Sequence, residues 1–86
     1  GQRDAMQRMA WALLRMYRRL RAVDLGADGW VPLPFRQLDL ADALGLSLVH
    51  TNKTLGRLRQ LGLARLAGGR LTIPDRQALA DLAQVE

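Results

Sequence analysis

A chain of 86 residues with a net charge of +5, no cysteine and a single histidine has room for one small domain. The missing cysteines exclude disulfides, thiolate zinc sites and iron–sulfur clusters, no apolar run approaches the ~20 residues of a membrane span, and no secretory h-region is present. A domain of this size buries only roughly 60–65% of its unfolded surface, so it needs the dense leucine and alanine core that a 49% hydrophobic composition supplies.

In chain order, Gln2 to about Leu25 reads as a long amphipathic helix. At ~100° per residue, Met6, Met9, Ala10, Leu13, Met16, Tyr17 and Leu20 share one side, with Arg8, Arg15 and Arg19 opposite. The arginine face reads either as solvated surface or as a phosphate-binding face. Gly26 is the expected C-cap and Asp28-Gly29 a turn. The two prolines of Trp30-Val31-Pro32-Leu33-Pro34 exclude helix, leaving a short edge strand or an extended connector. Arg36 to Leu44 forms a short helix with Leu40, Ala41 and Leu44 inward and Asp39 and Asp42 outward. Asp39 sits in the first turn, where the helix dipole favours a carboxylate. Gly45 breaks this helix, Ser47 caps the next, and that helix runs from Leu48 to about Leu61 before Gly62 ends it. Leu63–Leu66 and Arg70–Ile73 flank Ala67-Gly68-Gly69 as a β-hairpin. Pro74 stops the strand, and Asp75 caps a final helix with Leu79 and Leu82 inward.

The expected fold is therefore mainly α with a small β-hairpin, an α+β single domain over residues 1–86. Its parts are a leading helix (2–25), a helix-turn-helix (36–61), a wing (63–73) and a final helix (75–84). The helix pair turns on Gly45 and crosses on the small Ala41, with Leu40, Leu44, Leu46, Leu55 and Leu58 as the shared core. Thr51 and Thr54 face inward where aliphatic side chains are more usual. The outward face of the second helix then holds Val49, Asn52, Lys53, Gly56, Arg57 and Gln60, with Leu48 at its edge.

Charge singles out the same region. Residues 47–73 carry Lys53, Arg57, Arg59, Arg65 and Arg70 and no acid, which sums to +5, while the rest of the chain sums to zero. An acid-free face of Asn, Lys and Arg suits a phosphate-walled groove: Asn52 and Lys53 are donors for base edges, Arg57 for a phosphate, and Gly56 allows close approach. Arg65 and Arg70 on the wing would add flanking phosphate contacts, each increasing the salt dependence of binding.

The run from Leu33 to Arg59, most specifically Asp39 to Leu58, resembles the DNA-binding domain of cyclic-AMP receptor protein and FNR-type regulators. Gly62-Leu63, Gly68-Gly69-Arg70-Leu71, Ile73 and Asp75 extend the resemblance through the wing and final helix. It implies a cytoplasmic bacterial transcription regulator, a dimer on a near-palindromic operator in double-stranded DNA, with RNA polymerase as a further candidate partner. It implies base reading by Leu48, Val49 and Lys53, and phosphate contacts from Ser47, His50, Arg36 and Gln37. It also implies that a sensory domain upstream takes a cyclic nucleotide or another effector, while these residues need no cofactor and form a monomeric effector half. Leu48 and Val49 stand where the best-studied members carry an Arg-Glu pair, so that consensus half-site does not transfer; apolar contact with thymine methyls is the chemistry available. Arg36 replaces a usual Thr, losing a helix cap worth ~1 kcal/mol.

Other function classes have less to stand on. One histidine without a second His or Cys cannot anchor an ordinary zinc site, and Ser47 has no histidine–carboxylate partnership, so no metal site and no enzyme is expected. A winged helix that binds protein rather than DNA is the main alternative, since fold does not fix function, but it would not need an acid-free face. RNA binding usually brings stacking aromatics, and the second helix of the pair has none.

Overall fold

A computed structural model describes residues 2–22 and 29–84. Its elements are α1 (Gln2–Ala22), β1 (Trp30–Pro32), α2 (Gln37–Leu44), α3 (Leu48–Gln60), β2 (Arg65–Ala67), β3 (Arg70–Thr72) and α4 (Arg76–Ala83). The expected end of the first helix at Leu25, its cap Gly26 and Asp28 of the first turn lie outside the described residues.

α1 is long because its apolar residues recur every three or four positions. Met6, Met9, Ala10, Leu13 and Tyr17 are buried as the spacing predicts, and Ala5 and Leu14 widen the stripe. A wide stripe needs more than one partner. α1 packs chiefly along α4 and also meets α3 and β1. At the far end of this pairing Gln7 Nε2 donates to Gln84 Oε1 at 3.1 Å.

The two-stranded hairpin expected from the sequence is part of a three-stranded antiparallel sheet ordered β1-β3-β2. Trp30 lies opposite Thr72 and Val31 opposite Leu71, so the proline-rich stretch is an edge strand rather than a bare connector. An edge position tolerates Pro32, which has no N–H to offer a ladder. The hairpin strands are shorter than expected. Ala67 joins β2, Leu63 and Ala64 only lead into it, and Gly68-Gly69 alone make the turn, with φ of 59° and 73°. Two successive positive φ values define the type I′ turn that matches strand twist. Ile73 falls outside β3, yet its N–H still donates to Gly29 O at 2.9 Å.

Met9, Leu13, Leu14, Leu58, Leu71, Ile73 and Leu79 form one fully buried core joining α1, α3, the sheet and α4. Thr51 and Thr54 are completely buried with them. Thr54 Oγ1 donates to His50 O at 2.8 Å, whereas Thr51 Oγ1 has no partner.

Candidate nucleic-acid interface

The interface is built on the turn between α2 and α3. Gly45 takes the left-handed conformation, φ 67° and ψ 30°, where a Cβ is unfavourable. The chain then folds back tightly, with Leu46 N–H donating to Ala41 O at 2.9 Å. Ala41 is buried in this corner, as close helix crossing requires. Ser47 is extended and its Oγ accepts the His50 N–H at 3.0 Å, so its hydroxyl proton stays available to a ligand.

At the start of α2, Arg36 occupies the N-cap position without a side-chain cap. An arginine has no acceptor, so only the reciprocal half of a capping box forms: Asp39 Oδ2 accepts the Arg36 N–H at 2.8 Å. The missing cap is thereby partly replaced. Asp39 also lies 3.9 Å from Arg36 Nε, a loose pair in which the Arg36 side chain remains 82% exposed.

α3 buries Thr51, Thr54, Leu55 and Leu58 and turns its other sides outward. All four residues expected to read bases, Leu48, Val49, Asn52 and Lys53, are exposed, and Val49 at 66% is the most exposed large apolar residue among those described. Of the residues expected at phosphates, Arg36, Gln37, Ser47, Arg57, Arg65 and Arg70 are exposed and His50 is half-buried. Gly56, expected on the outward face, is half-buried.

Two adjoining clefts organise part of this set. One, of about 120 Å³, is lined by Gln37, Asn52, Leu55, Gly56, Arg59 and Leu66. The other, of about 290 Å³, shares Gln37 and Leu66 and adds Leu33, Phe35, Arg36, Ala67, Gly68, Gly69 and Arg70. Together they form a trough between the start of α2, one flank of α3 and the wing. His50 and Arg57 lie elsewhere, roughly 140–160° around α3 from Asn52. Among the described residues no carboxylate lies on α3 or on the wing strands.

Several contributors escaped the sequence reading. Arg59 lines the first cleft and Phe35 the second; the acid-free run already contained Arg59. Trp30 lies under Arg70, whose guanidinium carbon is 4.2 Å from the ring centroid. That stack steadies the wing cation while leaving its in-plane N–H groups free. Arg8 of α1 donates to the Leu44 carbonyl at the end of α2 and so fastens the helix pair to α1. No local pattern signals these last two contacts, because each joins residues far apart in the chain.

No cluster of potential metal ligands occurs among the described residues, and no helix there is long and apolar enough to cross a membrane.

Residues 7–82 match the family described as the Crp-like helix-turn-helix domain. The chain is 34% identical over 83 residues to the nitrogen fixation regulation protein FixK of Bradyrhizobium diazoefficiens, covering 96% of this chain and 35% of that protein. The fold is similar to that of FixK2 from Bradyrhizobium japonicum, with a TM-score of 0.77 and 32% identity over 95% of this chain and 39% of the other. It is also similar to the catabolite activator protein of Thermus thermophilus, with a TM-score of 0.73 and 25% identity over 96% of this chain and 35% of the other. The chain thus spans little more than a third of the length of these relatives.

Proposed function

Because the chain belongs to the Crp-like helix-turn-helix family of DNA-binding transcription regulators, we propose that it is the sequence-reading unit of a bacterial regulator acting in the cytoplasm. α3 lies in the major groove. The observation that carries this reading is the exposed, acid-free surface of α3 and the wing. A carboxylate there would meet phosphate walls; amide, ammonium and guanidinium donors meet them favourably.

Leu48 and Val49 present apolar surface to thymine methyls, and Lys53 one turn on donates to base acceptors. Arg36, Gln37, Ser47, His50 and Arg57 hold phosphates around the groove, and Arg65 and Arg70 extend the contact along the wing. Two copies would read a near-palindromic operator with their recognition helices about 34 Å apart. Dimerisation, binding of a cyclic nucleotide or another effector, and any contact with RNA polymerase belong to the longer regulator that the relatives' lengths suggest.

Selection of bound sites from random duplex at two salt concentrations tests this directly. Recovery of a near-palindrome, bound more weakly at the higher salt, is the expected outcome. Recovery of no sequence, with no salt-sensitive binding to any duplex, would point instead to a winged helix that docks a protein. Sedimentation of the 86-residue chain is expected to show a monomer.

A further inference from the structure

We infer that Gly56 and Arg59 complete a phosphate-binding notch with Gln37 and Asn52, on the flank of α3 rather than on the ridge inserted into the groove. The inference rests on the DNA-binding reading above and adds to it one backbone contact with its own residues.

Glycine is the least favourable residue in a helix interior apart from proline, and Gly56 is the ninth of the 13 residues of α3. Its backbone does not take a positive φ, and a Cβ built on it would meet nothing within 4 Å. Neither conformation nor packing within this molecule therefore calls for glycine at this position. What the missing side chain leaves open is the cleft between α3, the start of α2 and β2. Space kept at a cost to the helix is space for something outside the molecule.

The polar lining says what that is. Asn52, Gly56 and Arg59 recur at i, i+4 and i+7, so they stand in one stripe about 60° wide. Gln37 faces them across the cleft. Two amides and a guanidinium converge there without a carboxylate, a donor set that matches a phosphate. The only ion pair among the described residues joins Arg36 to Asp39, so Arg59 has no acidic partner there. The second cleft continues the track to Arg36 and Arg70, and a sugar–phosphate strand laid along it would pass one cation after another. In this arrangement Asn52 holds the backbone and the base edges fall to Leu48, Val49 and Lys53.

The test measures the unmodified chain, Arg59→Ala, Gly56→Leu and Asn52→Ala by fluorescence anisotropy. The probes are a labelled duplex recovered by site selection and its shuffled counterpart, each over a KCl series, with thermal melts alongside. All three variants are expected to weaken both duplexes by the same factor. Arg59→Ala should also make the slope of log affinity against log salt shallower by about 0.9, the value for one phosphate. Gly56→Leu should melt no lower than the unmodified chain; if it melts early, Arg59→Ala decides alone. Unchanged binding by Arg59→Ala, or a loss by Asn52→Ala confined to the selected duplex, overturns the notch. If the unmodified chain binds neither duplex, the DNA-binding reading falls and the notch with it.

Discussion

The helix pair α1–α4 and the helix pair α2–α3 use the same leucine-rich alphabet to opposite ends. Along α1 and α4 the apolar residues go inward: Met9, Ala10, Leu13 and Leu79 are entirely buried. Along α2 and α3 much of the apolar surface goes outward. Of the six exposed large hydrophobic residues among those described, all but Trp11 lie between residues 35 and 61. The interior there is completed by two threonines, one of them with an unpaired hydroxyl. One half of the molecule is built to hold together and the other to present a surface, and only the second depends on what it meets.

The largest effect should separate the two halves by stability. Leu13→Ala removes a fully buried side chain and is expected to cost about 2–5 kcal/mol in urea unfolding. Leu38→Ala, on the exposed side of α2, should stay within about 0.5 kcal/mol of the parent. Similar losses from both would erase the distinction. The next effect is on recognition. Lys53→Ala should lower discrimination between selected and shuffled duplex by about 1–3 kcal/mol, while Arg70→Ala weakens both alike. An equal loss on both duplexes for Lys53→Ala would remove it from the base-reading set.

Two helix caps fall on opposite sides of this division. Ser47 and Asp75 each accept the backbone N–H three residues on, at 3.0 and 3.1 Å. Ser47→Ala and Asp75→Ala should each cost about 1 kcal/mol of stability. Only Ser47→Ala should also reduce DNA affinity, measured under conditions where both variants are fully folded. The smallest effect lies inside the reading half. Thr51→Val should raise stability by up to about 1 kcal/mol, because it removes a buried hydroxyl that bonds to nothing. Thr54→Val gives up the bond to His50 O and should lower it slightly. A reversed order in thermal melts would mean that Thr51 does have a partner.

What the sequence made legible follows the range of the interactions. Gly45, Ser47, Asp75 and the outward stripe of α3 act within one or two turns of chain, and each stands where spacing and residue type put it. Asp39 shows the limit of that local reading: its place in the first turn points to the helix dipole, yet its carboxylate also accepts the Arg36 N–H. Contacts that bring distant segments together were not readable. β1 joins the sheet through a partner about forty residues later, and Arg8 finds the Leu44 carbonyl across 36 residues. The interface divides the same way. The residues on α3 were legible as a face, but the trough that groups Gln37 with Asn52, and Arg36 with Arg70, exists only once the wing has folded against α3.

The packing of α1 along α4 also has a consequence in time. Ribosomes add residues in order, and α1 is made before the helix that covers it. At about 5–20 residues per second, synthesis of the stretch separating the two takes roughly 3–10 s. Throughout that interval the stripe of Met9, Leu13 and Tyr17 lacks its main partner. A nascent chain halted after the wing would carry every residue that touches DNA in the reading above, and would still lack the helix that closes its core.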